Sequence, residues 1–300
     1  MLKIANHPIY KYTLPEGHRF PMEKYELLPQ YLLENNVCTP DHFFQPEKVA
    51  AEIITRVHTK AYYNLLLTLE IDKKEIRKMG FPLRQELVER GHYIIDGTIK
   101  GCHFAIEHGV AMNIAGGTHH AYADHGEAFC LLNDQAVAAQ YLLDNKLATQ
   151  ILIVDLDVHQ GNGTASIFAE EPQVFTFSMH GAGNYPFKKE KSDLDIPLAD
   201  GTEDQAYLET LYQTLPRLIE KVRPDFVFYL SGVDIVSTDK LGRLACTLEG
   251  CRRRDDFVLR TLKEKQIPVQ ISMGGGYSPN IVDIITAHAN TFRTAQAIYF

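Results

Sequence analysis

Residues 151–163, which read ILIVDLDVHQGNG, combine residue types that could bind a metal ion. They begin as an apolar run rich in β-branched residues, which predicts a buried parallel strand, and they end in acidic residues, a histidine and glycines. Because side chains alternate along a strand, we expect Asp155, Asp157 and His159 to point the same way for as long as the extended geometry lasts. Zinc or a similar divalent ion would offset the cost of burying these polar groups. Taken alone, the pattern fits an ordinary acidic strand-to-loop turn equally well.

The elements that would position these residues alternate between strands and helices from Val110 onward. Strand-like runs read VAMNIA, ILIVDL, QVFTFS, DFVFYL and PVQIS, and helical runs begin near Asp134, Thr164, Glu203, Thr247 and Pro279. This alternation predicts an α/β fold with a central, mostly parallel sheet that is flanked by helices on both faces. Ligands of such folds bind at the carboxyl ends of the strands.

The first 108 residues predict one strand and several helices. A short strand falls within residues 2–20, helices cover 22–35, 46–59 and 61–70, and a charged run at 72–78 precedes a break at Gly80 and Pro82. Residues 84–108 predict a long helical region that is interrupted by glycines, namely Gly91, Gly97 and Gly101. Because no linker, repeat or low-complexity block occurs, we expect residues 1–300 to form a single domain.

Polar or glycine-rich sequence follows each of the five strands predicted after Val110. The candidate side chains are, in chain order, His119, His120, Asp155, Asp157, His159, Ser178, Met179, His180, Asp234 and Tyr277. Because the carboxyl ends of parallel strands share one edge of the sheet, we expect these residues to meet there. Loops of ordinary solvated residues would not repeat this chemistry strand after strand.

Three of these residues, Asp157, His159 and Asp234, would give a divalent metal three protein ligands and leave one position open for water and substrate. Two carboxylates neutralise the formal charge of a divalent ion, so water bound to that ion would be activated less than water bound to an ion with three neutral histidine ligands. A separate base is then useful. The adjacent pair of histidines at 119 and 120 is the candidate for that base. Tyr277 could donate a hydrogen bond to an oxyanion. Together these residues predict acyl transfer to metal-activated water.

The composition of the chain argues against several other classes of function. The net charge of −8 over 300 residues disfavours nucleic-acid binding and does not favour anionic membranes. No stretch reads as a signal peptide or as a membrane span, so we expect no membrane partner. The five cysteines show no CxxC spacing, which predicts a reducing, cytoplasmic setting instead of a disulfide framework or a structural zinc site. The oligomeric state stays open.

The motifs in combination resemble the histone deacetylase superfamily, whose members have the arginase/deacetylase fold. The matching segments are GGTHHA (116–121), AFCLLND (128–134), DLDVHQGNG (155–163), SMHGAGNYPF (178–187), SGVD (231–234) and GGGY (274–277). They occur in the family's order and span most of the chain after Val110. The loop GHRFPMEKY (17–25) and residues 185–202 further resemble the bacterial, class IV-like branch.

The resemblance implies a zinc-dependent amidohydrolase that removes acyl groups from lysine side chains. The predicted ligand set would also suit iron(II). The matching positions are Asp157, His159 and Asp234 for the metal ligands, His119 and His120 for the tandem histidines, Asp155 for the support of His119, and Tyr277 for the residue that polarises the substrate carbonyl. Asn162 stands where the family usually has an aspartate that supports the second histidine. Ala128 stands where a glycine usually precedes the tunnel phenylalanine, and this change could alter the floor of the acyl pocket.

The resemblance also implies a substrate tunnel, a product channel and a structural monovalent cation, usually potassium. The matching positions are Phe129, Tyr185 and Gly275 for the tunnel, and Arg19 for an internal channel that releases the acid product. Those for the cation are the backbone oxygens of Asp155, Asp157, His159 and Met179 with the Ser178 hydroxyl. Two further features, His180 and the basic run 252–254, are interpreted as solvated surface.

Three alternatives accompany this reading. An acylated small amine, such as an acetylpolyamine, could replace the acyl-lysine protein as substrate. A non-catalytic acyl-lysine binder would need neither the complete ligand set nor Tyr277. Arginase, on the same fold, needs further carboxylates for two manganese ions, and Gly161 and Val236 stand where two of them would be expected.

Overall fold

Eight parallel strands form one sheet at the centre of the protein, in a computed structural model that describes residues 1–300. The strands are β1 (Lys3–Ala5), β2 (Phe43–Phe44), β3 (Val110–Asn113), β4 (Ile151–Asp155), β5 (Val174–Gly181), β6 (Leu194–Leu198), β7 (Phe226–Leu230) and β8 (Val269–Ser272). Their order across the sheet is β2-β1-β3-β8-β7-β4-β5-β6, and every pair is parallel. The predicted α/β class with a largely parallel sheet is therefore confirmed.

Ten α-helices connect and cover the strands. They are α1 (Lys24–Glu34), α2 (Ala51–Ile54), α3 (Lys60–Thr68), α4 (Lys73–Met79), α5 (Gln85–His108), α6 (Asp134–Asp144), α7 (Asn162–Ile167), α8 (Asp204–Val222), α9 (Leu248–Glu264) and α10 (Ile281–Tyr299). None of these helices combines the length and the apolar character that crossing a membrane requires. Residues near both ends of the chain, Leu2 and Tyr299, belong to the same buried apolar cluster.

Two strands at the edges of the sheet escaped the sequence analysis. The first, β2, contains only Phe43 and Phe44, which is too short for a recognisable period. The second, β6, reads LDIPL and is mostly half-buried or exposed, because one of its sides faces solvent. An aspartate and a proline weaken the strand pattern, and proline is tolerated there because an edge strand has backbone donors that need no partner.

The helix predicted over 46–59 is wrong, because only α2 is helical in this region. Residues 46–50 instead form no regular structure and lie against α5. The backbone N–H of Glu47 donates to the Asp96 carboxylate at 2.6 Å, and the carbonyl of Val49 accepts from His92 Nδ1 at 2.8 Å. These tertiary hydrogen bonds replace the bonds that a helix would have made. Conversely, the charged run after Asp72 forms α4.

Helix α5 is continuous, so the prediction that its glycines interrupt it is wrong. Two of them lie where the helix packs closest to the sheet. A Cβ at Gly97 would lie 2.5 Å from the Tyr10 hydroxyl and 2.9 Å from Asn113 Nδ2, and a Cβ at Gly101 would lie 3.3 Å from the Gln270 side chain. The close approach to the sheet offsets the low helix propensity of glycine.

The five cysteines are free thiols, and all are buried. Burial raises the pKa of Cys38 to about 11 and the pKa values of Cys246 and Cys251 to about 12. Because the thiolate is the reactive form, these side chains act as small apolar residues of the core.

Candidate active site

The polar residues that follow the central strands converge at the carboxyl edge of the sheet. Asp157 and His159 follow β4, and Asp234 follows β7, which is the direct neighbour of β4. One ligand atom from each of the three side chains lies within 4.8 Å of the other two, and all three residues are buried. The structure thus brings together the three predicted metal ligands.

Loop hydrogen bonds, not strand alternation, aim these side chains. Strand β4 ends at Asp155, so the extended geometry that would align the three side chains does not last to position 159. The N–H groups of Val158 and His159 donate to Asp234 Oδ1 and Asp157 Oδ1, each at 2.9 Å. The N–H of Asp157 donates to Asp155 Oδ1 at 3.1 Å. These hydrogen bonds from the loop backbone fix the orientation of each carboxylate, so the carboxylate oxygens that do not accept them are also held in place.

The donor set fits a divalent cation. His159 Nδ1 lies 3.0 Å from Asp157 Oδ1 and 3.2 Å from Asp234 Oδ2, and no lysine or arginine forms an ion pair with either carboxylate. Burial and the neighbouring Asp157 carboxylate raise the pKa of Asp234 to about 7. Two buried carboxylates that face each other need a positive charge between them. Two oxygen ligands and one nitrogen ligand suit zinc or iron(II).

Glycines leave room for these carboxylates. A Cβ at Gly275 would lie 2.0 Å from Asp234 Oδ2 and 2.8 Å from Asp157 Oδ2, and the Gly275 N–H donates to the same Asp157 oxygen at 2.7 Å. Gly275, predicted as part of the tunnel, therefore lies against the ligand carboxylates. A Cβ at Gly161 would lie 2.3 Å from Asp155 Oδ2. A carboxylate side chain, as a second metal would need, does not fit at Gly161.

The tandem histidines after β3 have different partners. His119 Nδ1 is hydrogen-bonded to Asp155 Oδ2 at 2.6 Å, as predicted, and both groups are buried. Burial opposes the charged imidazolium, but the Asp155 carboxylate outweighs it and raises the pKa of His119. For His120, burial lowers the pKa well below its usual value, and the neighbouring His119 and His159 act in the same direction. One ring is thus favoured as a cation and the other as a neutral base.

Asn162 determines which nitrogen of His120 carries the proton. Asn162 Oδ1 lies 2.6 Å from His120 Nδ1, and Asn162 Nδ2 donates to Glu127 Oε2 at 2.9 Å and to the Tyr122 hydroxyl at 3.1 Å. A carboxylate only accepts hydrogen bonds, so the amide nitrogen must face Glu127 and the amide oxygen must face the ring. The proton therefore sits on His120 Nδ1, and Nε2 is free to accept another. Sequence analysis missed Glu127, because it belongs to no recognisable motif.

A cavity of about 490 Å³ leads from the surface to His120 and His159. Phe129 and Tyr185 line it, as the predicted tunnel requires, and the rings of Tyr185 and His120 meet edge to face at 5.2 Å between centroids. The backbone at Ala128 has φ 43°, which favours glycine, and its N–H donates to the Lys78 carbonyl at 3.0 Å. The tunnel wall is therefore tied to the end of α4.

Tyr277 closes the inner end of this cavity. Its ring packs between Phe20, Phe129 and His159, with centroids 6.0–6.2 Å away. Burial, together with the Asp157 and Asp234 carboxylates, raises the pKa of the hydroxyl well above its usual value. The hydroxyl makes no hydrogen bond within the protein and keeps its proton, so it is available as a donor to a ligand.

Arg19 lies elsewhere than predicted. It is exposed and lines the mouth of the large cavity, so it does not line an internal channel. Two smaller cavities lie inside the protein, and both are lined by Arg90. Arg90 is buried and donates from Nε to the Tyr10 carbonyl at 2.7 Å. The position of Arg90 on the inner face of α5 follows from packing, and no local motif marks it.

Two side chains interpreted as solvated are buried. His180 lies within β5, and its Nδ1 is hydrogen-bonded to the Ser178 hydroxyl at 2.9 Å. Arg254 is fully buried on α9 and donates to the carbonyls of Leu156 and Ser231 at 3.3 Å, which ties together the loops after β4 and β7. The apolar spacing of Cys251, Val258, Leu259 and Leu262 was the available signal, because it puts residue 254 on the buried face of the helix.

A further buried cation supports the glycine-rich loop before Tyr277. Lys24 is 1% exposed, and its Nζ donates to the Gly274 carbonyl at 3.0 Å. That carbonyl belongs to the same peptide group as the Gly275 N–H, which bonds to Asp157. Hydrogen bonds at both ends of one peptide polarise each other. The loop is therefore held between α1 and a predicted metal ligand.

Comparisons with known proteins agree with this architecture. The chain is 43% identical to an uncharacterized protein of Picosynechococcus sp. over 99% of both chains. It is 27% identical to histone deacetylase 2 of Arabidopsis thaliana over 89% of this chain and 72% of that protein. It is also 27% identical to the acetoin utilization protein AcuC of Staphylococcus aureus over 94% of this chain and 78% of that protein.

Among solved structures, a crystal structure of an HDAC homolog in complex with SAHA superimposes with a TM-score of 0.84, at 23% identity, over 99% of this chain and 84% of the other. This similarity shows the shared arginase/deacetylase fold. The family model of the histone deacetylase domain matches residues 18–292, a range that contains the ligand trio, both histidines and Tyr277. The chain therefore belongs to the histone deacetylase family of hydrolases.

Proposed function

We propose that residues 1–300 form a single catalytic domain that hydrolyses the amide of acylated lysine side chains with one zinc ion. The observation that carries this proposal is the arrangement at the inner end of the tunnel. An imidazole with a lowered pKa, an imidazole with a raised pKa and a free tyrosine hydroxyl surround three converging metal ligands. Hydrolysis of an unactivated amide needs a base, an electrophile and a stabiliser of the oxyanion.

Asp157, His159 and Asp234 would hold the metal, which supplies a Lewis acid to the substrate carbonyl and makes water more acidic when it is bound. His120 Nε2 takes a proton from the attacking water and returns it to the leaving amine. His119, favoured as a cation by Asp155, stabilises negative charge on the reacting carbonyl group. Asp155 and Asn162 act through these two rings.

Tyr277 donates a hydrogen bond to the carbonyl oxygen as charge develops on it. Phe129 and Tyr185 enclose the lysine methylenes between aromatic faces and exclude water from the reacting amide. The aromatic faces of Phe129 and Tyr185 suit the uncharged stem of an acyl-lysine better than the ammonium group of the product lysine.

Further parts of the proposal rest on the sequence. A place in the bacterial, class IV-like branch and a structural potassium ion rest on the resemblance, a cytoplasmic location rests on the pattern of cysteines, and iron(II) as the alternative metal rests on the types of ligand. A structural potassium ion would be held by backbone oxygens of Asp155, Asp157, His159 and Met179 with the Ser178 hydroxyl. Asp155 and Ser178 are register partners on adjacent strands, which supports a shared oxygen-lined site.

Assays of the purified, zinc-loaded protein on a panel of acyl-lysine peptides and acetylpolyamines test this function. We expect release of the free acid from acyl-lysine substrates. If only acetylpolyamines are hydrolysed, the proposed substrate class is wrong, while the proposed amide hydrolysis is kept. Tight binding of acyl-lysine without any acid release would identify a non-catalytic binder and reject the proposed reaction.

We expect about one tightly bound divalent metal ion per chain, because one ligand set is complete and Gly161 excludes a second. Metal analysis after dialysis measures the ratio. Asp234→Asn is the matched control and should lose most of the metal, because it removes a carboxylate and keeps the shape. Two tightly bound manganese ions per chain would contradict the mononuclear site.

A carboxylate at position 162 should raise the pKa of His120, because it stabilises the imidazolium. The base must be unprotonated to act, so the acidic limb of the kcat/KM profile should move to higher pH. Asn162→Asp alone would place two carboxylates against each other at Glu127, and these would share a proton. The variant to compare with Glu127→Gln is therefore Glu127→Gln/Asn162→Asp, in which the glutamine can donate to the new carboxylate. Superimposable acidic limbs in these two variants would show that Asn162 does not support the base.

A further inference from the structure

Three basic side chains surround the mouth of the cavity, and only one of them lacks a partner. Lys78 pairs with Glu75 at 3.0 Å, and Arg243 pairs with Asp200 at 3.2 Å. Arg19 is exposed and forms neither an ion pair nor a hydrogen bond within the protein. Arg19 is therefore the free cation of the tunnel mouth, in a chain whose net charge is −8.

The neighbours of Arg19 fix it against the tunnel wall. His18 Nε2 is hydrogen-bonded to the Gly80 carbonyl at 2.9 Å, and the Phe20 ring packs edge to face on Phe129 at 5.3 Å between centroids. The Arg19 guanidinium carbon lies 5.1 Å from the centroid of the same Phe129 ring. A guanidinium that stacks on an aromatic face keeps its edge donors free. The loop thus presents a planar hydrogen-bond donor at the point where a substrate leaves the tunnel.

We propose that Arg19 binds a carboxylate at the non-acyl end of the substrate, so that the substrate class is an acylated amine with a nearby carboxylate. This inference rests on the proposed deacylase function and names its substrate. The acyl group lies by His120 and Tyr277, and the methylenes pass Phe129, so the α-carbon of an acyl-lysine emerges beside the guanidinium. Guanidinium edges pair with carboxylates through two parallel hydrogen bonds.

The same geometry disfavours a polyamine. The far end of an acetylpolyamine carries an ammonium group, which would face Arg19 with a like charge. The carboxylate of the tunnel, Glu127, already accepts from Asn162 and is engaged with the support of His120. No free carboxylate of the lining remains to attract a second ammonium group. The charge at the mouth therefore selects for anionic substrates.

The carboxylate can come from the α-carboxyl group of an acyl-lysine or from an acidic side chain of a peptide. Two substrate pairs separate these sources. The first is Nα,Nε-diacetyl-lysine with a free carboxylate and its carboxamide. The second is an acetyl-lysine peptide, amidated at its end, with aspartate or asparagine next to the lysine. Within each pair only one negative charge changes.

We expect the wild-type protein to favour the anionic member of at least one pair by about two- to fivefold in KM, as is typical for an exposed charge pair. Arg19→Gln should abolish this ratio, and Arg19→Lys should restore part of it. Arg243→Gln is the matched control, because it removes a mouth cation that has its own partner, and the ratio should persist. The wild-type ratio should shrink when ionic strength rises from about 0.05 to 0.5 M.

Calorimetric titration of the same pairs on the zinc-loaded Tyr277→Phe protein, in which turnover should be about 10²–10³-fold slower, gives the ratio from binding alone, so failure of the proposed reaction and failure of this inference are distinguishable. Equal affinities for both members of both pairs in the wild-type protein would overturn the role of Arg19. A ratio that survives Arg19→Gln would overturn it as well. Preference for the free α-carboxylate, or for the acidic peptide, would support it and identify the source.

Discussion

We expect Tyr277→Phe to lower kcat by about 10²–10³-fold while KM changes little. The hydroxyl has no partner within the protein, and burial together with the Asp157 and Asp234 carboxylates holds its pKa well above the usual range. The hydroxyl is therefore protonated and available to donate a hydrogen bond to the carbonyl oxygen of the substrate. An interaction that strengthens only as the oxyanion forms stabilises the transition state more than bound substrate.

The phenylalanine variant keeps the ring contacts with Phe20, Phe129 and His159, so the tunnel should retain its shape. Steady-state kinetics on one acyl-lysine substrate, with metal content and melting temperature measured on the same sample, separate catalysis from folding. Phe20→Leu serves as a packing control, because it perturbs the same cluster and leaves the hydroxyl. A Tyr277→Phe enzyme with near-native kcat would mean that the hydroxyl does not reach the reacting carbonyl.

Removal of His120 should damage activity more than removal of His119. Loss of a general base typically lowers the rate by about 10²–10⁴-fold. The amide of Asn162 leaves His120 Nε2 unprotonated, and burial lowers the pKa of this ring, so it is neutral near pH 7. His119 is favoured as a cation by Asp155 and has no lone pair to offer in that state.

The comparison uses His120→Ala and His119→Ala at saturating substrate and equal metal loading. Both rings are 5% exposed, so the two truncations remove similar buried volumes and control for each other in stability. A solution base such as imidazole should partly rescue His120→Ala and should not rescue His119→Ala. Greater loss in His119→Ala, or rescue of that variant alone, would reverse the two roles.

Much of the fold and of the site follows from local sequence. The apolar runs that became β3, β4, β5, β7 and β8 were recognisable because both faces of each strand are buried, which leaves little room for polar residues. The residues that follow them were recognisable because the carboxyl ends of parallel strands necessarily share one edge. The sequence could therefore predict that three ligands, Asp157, His159 and Asp234, form one site, although it contains no distances.

Segments whose conformation depends on tertiary contacts could not be predicted in the same way. Residues 46–50 have a composition that favours a helix but form none, because their backbone is hydrogen-bonded to side chains of α5. The glycines of α5 suggested breaks in the helix, but they lie where the helix packs against the sheet. Strand β6 has a weak pattern, because an edge strand is specified by its neighbour more than by its own residues.

The sequence by itself determined which candidate side chains meet at the carboxyl edge of the sheet, because residue type and strand order suffice for that. Only the tertiary structure decided how they are held. It placed Arg19 at the mouth and Arg90 inside, set Gly275 against the ligand carboxylates, and joined Lys24 to Gly274 across 250 positions of the chain. Such contacts join residues that are distant in sequence. They depend on the shapes of the packed surfaces and on which charges lack a partner, and neither property leaves a periodic pattern in the local sequence.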